Sequence, residues 1–126
     1  MNRLRIAVAV IRRDGRCFLQ RREPGPAFLA GLWEFPGGKI EGGESAEEAL
    51  VRELREELAW RPGRPQALQA FVHDYPGLMV ELHPFLCETQ GSLGTRLAWG
   101  WFLPAEIHRL PLPEASRALL DRLGLR

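Results

Sequence analysis

A helix between residues 45 and 58 constrains the fold of this chain more than any other feature of its sequence. Ser45 is suited to accept hydrogen bonds from the first backbone N–H groups of a helix, and Glu48, three residues later, is placed to reach back to the backbone of Ser45. Leu50, Leu54 and Leu58 then recur at helical spacing on one side. The pattern predicts an amphipathic helix that packs its leucines against the rest of the domain.

The segments around this helix show the patterns of strands and turns. Residues 4–13 and 17–22 are predicted to form a hairpin through Asp14-Gly15, followed by a loop over 23–31, a short apolar segment over 32–35 and a glycine-rich loop over 36–43. After the helix, we predict strands over 67–75, 79–88 and 97–103, a helical turn over 104–109 and a closing helix over 114–123.

The size and composition of the chain limit its class. With 126 residues, a net charge of +1, 45% hydrophobic and 26% charged residues, we expect a single compact domain over residues 1–126, not a disordered or strongly basic nucleic-acid-binding chain. The longest apolar run, residues 6–11, is too short for a membrane span or a secretion signal, which predicts a cytoplasmic protein. Cys17 and Cys87 lie in apolar runs and are expected to be buried free thiols.

Carboxylates are concentrated on the predicted helix and just before it. Seven of the thirteen glutamates lie between Glu41 and Glu57, and Glu53, Glu56 and Glu57 fall within an arc of about 100° on the helix surface. Three like charges so close together repel one another, so helix stability does not explain them. Oxygen-only ligands suit a hard cation, and Mg²⁺ prefers a few carboxylates together with waters and phosphate oxygens. The cluster therefore predicts a Mg²⁺ site that holds a phosphate-containing substrate.

A solvated acidic helix face is the alternative interpretation, with Arg52 and Arg55 as charge partners on the helix. The glycine-rich loop before the helix favours the metal site, because glycine backbone approaches a phosphate or a metal closely.

The glycine-rich loop and the helix together resemble the signature of a known family. From Gly38 the chain has five residues, Glu44, seven residues and then Arg52-Glu53-Leu54-Arg55-Glu56-Glu57-Leu58-Ala59-Trp60, which matches the Nudix box G-x5-E-x7-R-E-U-x-E-E-x-G-U. Ala59 departs from the pattern, since it stands where the box has glycine. The segments LRIAVAVIR and LWEFPGGKIEGG also resemble those of MutT-type nucleoside triphosphate pyrophosphohydrolases.

This resemblance implies an α/β (α+β) fold, namely an α/β/α sandwich with a mixed β-sheet. It further implies Mg²⁺-dependent hydrolysis of nucleoside triphosphates to the monophosphate and pyrophosphate, with Mn²⁺ as a possible substitute. The expected substrate is 8-oxo-dGTP, as in a nucleotide-pool sanitiser, and CTP or another pyrimidine triphosphate is the alternative. A noncatalytic nucleotide-binding module is the alternative from a different class. We expect a monomer or homodimer without a nucleic acid polymer or a membrane as partner.

The resemblance also assigns roles to individual residues. It implies Glu53, Glu56 and Glu57 as metal ligands with the carbonyl of Gly37, Glu53 as the general base with Glu56 as the alternative, and Arg52 as the residue that orients the glutamates. Lys39 is expected to contact a phosphate or to pair with Glu44, with a purely solvent-exposed surface position as the alternative. Glu44 itself is expected to be structural. Residues 91–98 contain no acidic group, although some relatives have a carboxylate there.

A base pocket is the last expectation that the resemblance carries. It is assigned to Arg22, Glu34, Phe35, Tyr75 and Ser116. Purely structural roles are the alternative for each: core for Phe35, a strand end for Arg22, a turn for Tyr75 and a helix start for Ser116. Ser116 stands where the family commonly has Asn or Asp, and one hydroxyl offers fewer hydrogen bonds to a purine than an amide does. We therefore expect only moderate selectivity for 8-oxoguanine.

Overall fold

The computed structural model describes residues 2–22 and 31–125. The predicted loop over residues 23–31 therefore lies, apart from Gly31, outside the described residues. The elements are β1 (Asn2–Arg13), β2 (Arg16–Arg21), β3 (Trp33–Glu34), β4 (Gly37–Lys39), α1 (Ala46–Leu58), β5 (Gln66–Ala67), β6 (Phe71–Tyr75), β7 (Leu78–Glu88), β8 (Trp99–Phe102), α2 (Pro104–Ile107) and α3 (Glu114–Leu123).

The sheet is mixed, as the resemblance implies. Strand β1 runs parallel to β7 and antiparallel to both β2 and β4. The pairs β2–β3, β2–β8, β5–β7 and β6–β7 are all antiparallel. Strand β1 thus joins the part of the sheet that contains β2, β3 and β8 to the part built around β7.

Each face of the sheet carries its own apolar core. On one face Ala7 and Ala9 of β1 pack with Leu50 and Leu54 of α1. On the other face the core combines residues of β1, β2 and β7 with α2 and α3, including Val10, Leu19, Val80, Ile107 and Leu119. Alternate residues of β1 point to opposite faces, so one strand serves both cores. Helices on both faces confirm the α/β/α sandwich.

Helix α1 begins and ends as its local sequence dictates. The Ser45 Oγ accepts a hydrogen bond from the Glu48 N–H at 3.1 Å, and the Glu48 Oε1 accepts one from the Ser45 N–H at 2.8 Å, which confirms the capping box. The helix ends at Ala59, whose backbone is left-handed with φ 51° and ψ 37°. The departure from the family pattern therefore falls at a position that suits glycine.

The predicted loop over 36–43 was partly wrong, because Gly37–Lys39 forms strand β4 against β1. Glycine-rich segments usually indicate loops, but here the backbones come so close that a Cβ on Gly37 would overlap the Ala7 carbonyl. Gly37 also has a φ of +153°. Its missing side chain is what permits the pairing.

The predicted strand over 67–75 is divided into β5 and β6. Ala67 lies opposite Phe85 and Phe71 lies opposite Leu82, so three residues on one strand face two on the other. Pro84, in that stretch of β7, has no N–H for the ladder, and its carbonyl accepts from the Leu68 N–H at 2.9 Å. The extra residue produces the interruption.

Cys17 and Cys87 are buried and free, as predicted. Burial raises the pKa of the Cys87 thiol to about 12. Among the described residues, no helix is long and apolar enough to span a membrane.

Candidate active site

Glu53 lies on the sheet-facing edge of α1, against strand β4. Its side chain is 18% exposed, and its Oε1 accepts a hydrogen bond from the Arg52 Nη1 at 2.9 Å. The carboxylate occupies the space that a side chain at Gly38 would fill, since a Cβ there would overlap it. Gly38 therefore allows the Glu53 carboxylate to lie directly on the backbone of β4.

Glu57, one helical turn further along α1, is held through both carboxylate oxygens. Its Oε1 accepts from the Gln20 Nε2 at 2.7 Å, and its Oε2 accepts from the Gly37 N–H at 3.2 Å. Burial raises the pKa of Glu57 to about 8, although both hydrogen bonds favour the ionised form. The negative charges of Glu34 and Glu53 act in the same direction as burial.

Arg52 connects the loop before α1 with the glutamates of the helix. Its Nε and Nη2 donate to the two carboxylate oxygens of Glu44 at 2.7 and 3.0 Å, and its Nη2 also donates to the Lys39 carbonyl at 2.9 Å. These contacts fix the guanidinium plane, from which Nη1 reaches Glu53 and lies 3.5 Å from the Glu56 Oε2. This geometry is compatible with the predicted role of Arg52, which is to orient the glutamates.

Glu44 serves this structural arrangement. Its hydrogen bonds with Arg52 lower the pKa of the Glu44 carboxyl to about 2, and the backbone contact with Glu41 acts in the same direction. The Glu44 carboxylate pairs with Arg52. Among the described residues it forms no ion pair with Lys39, which was the other expected partner. Lys39 is exposed at the end of β4.

A cleft of about 510 Å³ opens on the face of the sheet opposite α1. Its floor is made by apolar residues of β1 and β7, and its far wall by the start of α3. The structure brings together in this cleft all five residues assigned to the base pocket: Arg22, Glu34, Phe35, Tyr75 and Ser116. Lys39 is not among the residues that line it. The volume is within the usual range of small-molecule sites.

Several polar side chains belong to the lining of the cleft. The Arg22 Nε lies 3.0 Å from the Glu34 Oε2, and burial raises the pKa of Glu34 despite this cationic neighbour. The Tyr75 hydroxyl accepts from the Ala115 N–H at 3.0 Å, so Tyr75 also holds the start of α3. Phe35 belongs both to the core and to the cleft wall. Ser116 is half-buried in the cleft lining.

The carboxylates fit a hard cation in their chemistry but are not gathered around one point. Within residues 2–22 and 31–125 no three acidic, histidine or cysteine side chains form a ready-made metal site. Glu53 is turned to Arg52, Glu57 is turned to Gln20 and Gly37, and Glu56 is 56% exposed. All their donor atoms are oxygens, the type that Mg²⁺ prefers. Glu53 and Glu56 would have to rotate toward the fixed Glu57 for the three side chains to share a cation.

Gly37 is positioned to add a backbone carbonyl to this donor set. The Ala9 N–H donates to the Pro36 carbonyl and the Ile40 N–H to the Arg5 carbonyl, which makes Gly38 the hydrogen-bonded partner of Ala7 between them. The polar groups of Gly37 therefore point away from β1, on the side where its N–H meets Glu57. The predicted role of its carbonyl is compatible with this orientation.

Gln20 is a residue of the site that the sequence reasoning missed. It lies in β2, is fully buried and donates to Glu57. The available signal was a polar residue within the apolar segment of a predicted strand, on the same face as Phe18. That signal does not reveal which carboxylate the amide meets.

Comparison with known proteins identifies the family of this α/β/α sandwich with a carboxylate-bearing helix. Residues 7–122 match the family model described as the NUDIX domain, and the chain belongs to the Nudix hydrolase family. It is 36% identical over 124 residues to the CTP pyrophosphohydrolase of Escherichia coli (strain K12), covering 96% of this chain and 91% of that one.

A second relative and a solved structure support the same assignment. The chain is 38% identical over 88 residues to the 8-oxo-dGTP diphosphatase of Escherichia coli (strain K12), which covers 70% of this chain and 68% of the relative. The crystal structure of the MutT NUDIX hydrolase from Burkholderia pseudomallei superposes with a TM-score of 0.83 at 31% identity, covering 96% of this chain and 98% of that one. Both the resemblance to the family and the fold class are thereby confirmed.

Proposed function

We propose that the protein hydrolyses nucleoside triphosphates to the nucleoside monophosphate and pyrophosphate, with Mg²⁺ as cofactor and 8-oxo-dGTP as the leading substrate. One observation carries the proposal: Gly37 lines the cleft and at the same time donates its N–H to Glu57. A nucleoside in the cleft would thus extend its phosphates toward the glutamates of α1.

The residues of α1 have distinct parts in the proposed reaction. Bound Mg²⁺, for which Mn²⁺ can substitute, would supply charge neutralisation at the phosphates and a more acidic coordinated water. The Glu53 Oε1 is occupied by Arg52, which leaves Oε2 to accept the proton of the attacking water. Glu56, which is more exposed, is the alternative base. Arg52, fixed by Glu44, keeps Glu53 in place.

Recognition of the base is assigned to the lining of the cleft. Arg22 offers donors beside the Glu34 carboxylate, Phe35 offers an apolar wall, and Ser116 offers one hydroxyl. The similarity to proteins named 8-oxo-dGTP diphosphatase supports an oxidised purine as substrate. Removing such a nucleotide from the precursor pool would serve DNA repair in the cytoplasm, where we place the protein.

CTP is the second candidate. The relative named CTP pyrophosphohydrolase spans 96% of this chain. The serine at position 116 offers fewer hydrogen bonds to a purine than an amide would, so it selects less strongly for an oxidised purine. A noncatalytic nucleotide-binding module is disfavoured, because every charged residue of the family motif is present and hydrogen-bonded or adjacent to Arg52.

A substrate panel tests the proposal. Purified protein with Mg²⁺ is given 8-oxo-dGTP, dGTP, CTP and ADP-ribose, and nucleoside monophosphate, pyrophosphate and inorganic phosphate are quantified separately. We expect monophosphate and pyrophosphate, with the highest kcat/KM on 8-oxo-dGTP, and a kcat lower by roughly 10²-fold in Glu53→Gln. Hydrolysis of CTP alone would select the second candidate, and nucleotide binding without hydrolysis would select the noncatalytic module.

A further inference from the structure

Gln20 is a fully buried polar side chain placed between the cleft and α1. In the β2 pairings it lies opposite Glu34 on β3 and opposite Trp99 on β8. Its Nε2 donates to the Glu57 Oε1 at 2.7 Å. Its Oε1 is buried and has no hydrogen-bond partner among the described residues.

Packing does not account for an amide at this position. A buried amide oxygen without a partner opposes folding, and methionine fills nearly the same volume without a polar atom that needs one. The amide contributes something else, which is its donor to Glu57 and its polar contact with the neighbouring Glu34.

The Glu57 carboxylate is held by one backbone donor and one side-chain donor. The Gly37 N–H belongs to β4, whose place is set by pairing with β1. The Gln20 donor reaches the other carboxylate oxygen from β2. Together they fix both the position and the rotation of the carboxylate, because a single hydrogen bond would leave it free to turn.

We propose that Gln20 is a positioning residue of the reaction, which holds the Glu57 carboxylate between the cleft and the neighbouring glutamates of α1. Side chains that orient a ligating carboxylate influence both cation affinity and turnover without touching the substrate. This inference rests on the proposed function, in which Glu57 is a metal ligand.

The first test is Gln20→Met, with Gln20→Leu as a second variant that also fills the space. Mn²⁺ is titrated into metal-free protein and free Mn²⁺ is measured by electron paramagnetic resonance, so that this readout does not depend on activity. We expect Mn²⁺ affinity and kcat each to fall about 10- to 100-fold, with the KM for the nucleotide within about threefold of wild type. We expect Tm in chelator to change little, because removing the unpartnered oxygen offsets the loss of the donor to the Glu57 Oε1.

A double-mutant cycle separates positioning from general damage. If Gln20 acts through Glu57, adding Gln20→Met to Glu57→Gln lowers kcat by less than about threefold beyond Glu57→Gln alone. Thr89→Val is the matched control, because Thr89 is the other buried polar side chain among residues 2–22 and 31–125, and its Oγ1 accepts from the Gly91 N–H and not from a residue of the candidate site. We expect this variant to bind Mn²⁺ and to turn over like wild type.

These measurements distinguish a failure of the proposed hydrolase function from a failure of the proposed role of Gln20. Wild-type protein that neither binds Mn²⁺ nor hydrolyses any nucleotide would overturn the proposed function itself. Wild-type protein that does both, alongside Gln20 variants with unchanged Mn²⁺ affinity and kcat, would overturn only the role of Gln20. Full additivity in the cycle, or an equal loss in Thr89→Val, would also refute it.

Discussion

Replacing Gly38 with alanine tests whether the exact place of the Glu53 carboxylate matters for the reaction. Gly38 does not have a positive φ, so alanine suits its backbone. The new Cβ would nevertheless stand 2.5 Å from the Glu53 Oε1 and 2.6 Å from its Oε2, where ordinary contacts begin at 3.4 Å. The carboxylate must therefore withdraw by about 1 Å, since β4 is held in place by β1.

A displacement of this size is expected to reduce turnover strongly. Misplacing a reacting group by about 1 Å can lower the rate by roughly 10²-fold. The fold should survive, because the flexible end of Glu53 moves and because Gly→Ala restricts the unfolded chain, which favours folding by about 0.4–1 kcal/mol. We therefore expect kcat to fall about 10²-fold while Tm in chelator stays equal to or above that of wild type.

The assay is pyrophosphate release from the best substrate of the panel at saturating Mg²⁺, coupled to a pyrophosphatase. Gly42→Ala is the matched control, because Gly42 follows β4 in the same glycine-rich segment, has no positive φ and has nothing within 4 Å of a Cβ built on it. It should turn over like wild type. A Gly38→Ala enzyme that keeps more than about a third of wild-type kcat, or a Gly42→Ala enzyme that loses as much, would refute the reasoning.

Three further predictions concern the helix end, the buried carboxylate and the cleft. Ala59→Gly should stabilise the protein by about 1 kcal/mol in urea unfolding and leave kcat within about twofold, because glycine relieves the left-handed backbone and Ala59 touches no reacting group. The raised pKa of Glu57, about 8 when folded against 4.5 as the reference, means that metal-free protein loses stability as pH rises from 4.5 to 8. Melts in chelator should show this slope in wild type and a smaller one in Glu57→Gln. Ser116→Asn should raise the preference for 8-oxo-dGTP over dGTP by about 1–3 kcal/mol, mainly through KM, and an unchanged ratio would remove Ser116 from the base pocket.

The parts of the fold that were predicted correctly depend on local chemistry. Helix α1 follows from its capping box and leucine spacing, both of which act within a few residues. The short strands β3, β4 and β5 depend on partners far along the chain, so their own sequences carry little signal. Gly37 shows the difficulty, because the same glycine that indicates a loop in sequence permits close strand pairing in the structure.

The candidate site likewise contains one part that local sequence predicts and another that depends on contacts between distant residues. The spacing of Glu53, Glu56 and Glu57 follows from helix geometry, which made the carboxylate cluster readable from sequence. Gln20 lies 37 residues from Glu57 along the chain, and their contact exists only because β2 passes beside α1. No local pattern could have paired them.

Small residues of the sheet lie beneath helix α1 and allow it to approach the strands closely. Ala7 and Ala9 face the helix from β1 and are fully buried against its leucines, which lets the helix lie near the strands. From there Glu53 meets the bare backbone of Gly38, and Glu57 reaches the N–H of Gly37. From the sequence, we expect the backbone of these glycines to let a phosphate or a metal come close. In the structure, the groups that lie against this backbone are the carboxylates of Glu53 and Glu57. The glycine pair and the glutamates are therefore one unit, and a larger residue at Gly38 would change the site without any change in the glutamates themselves.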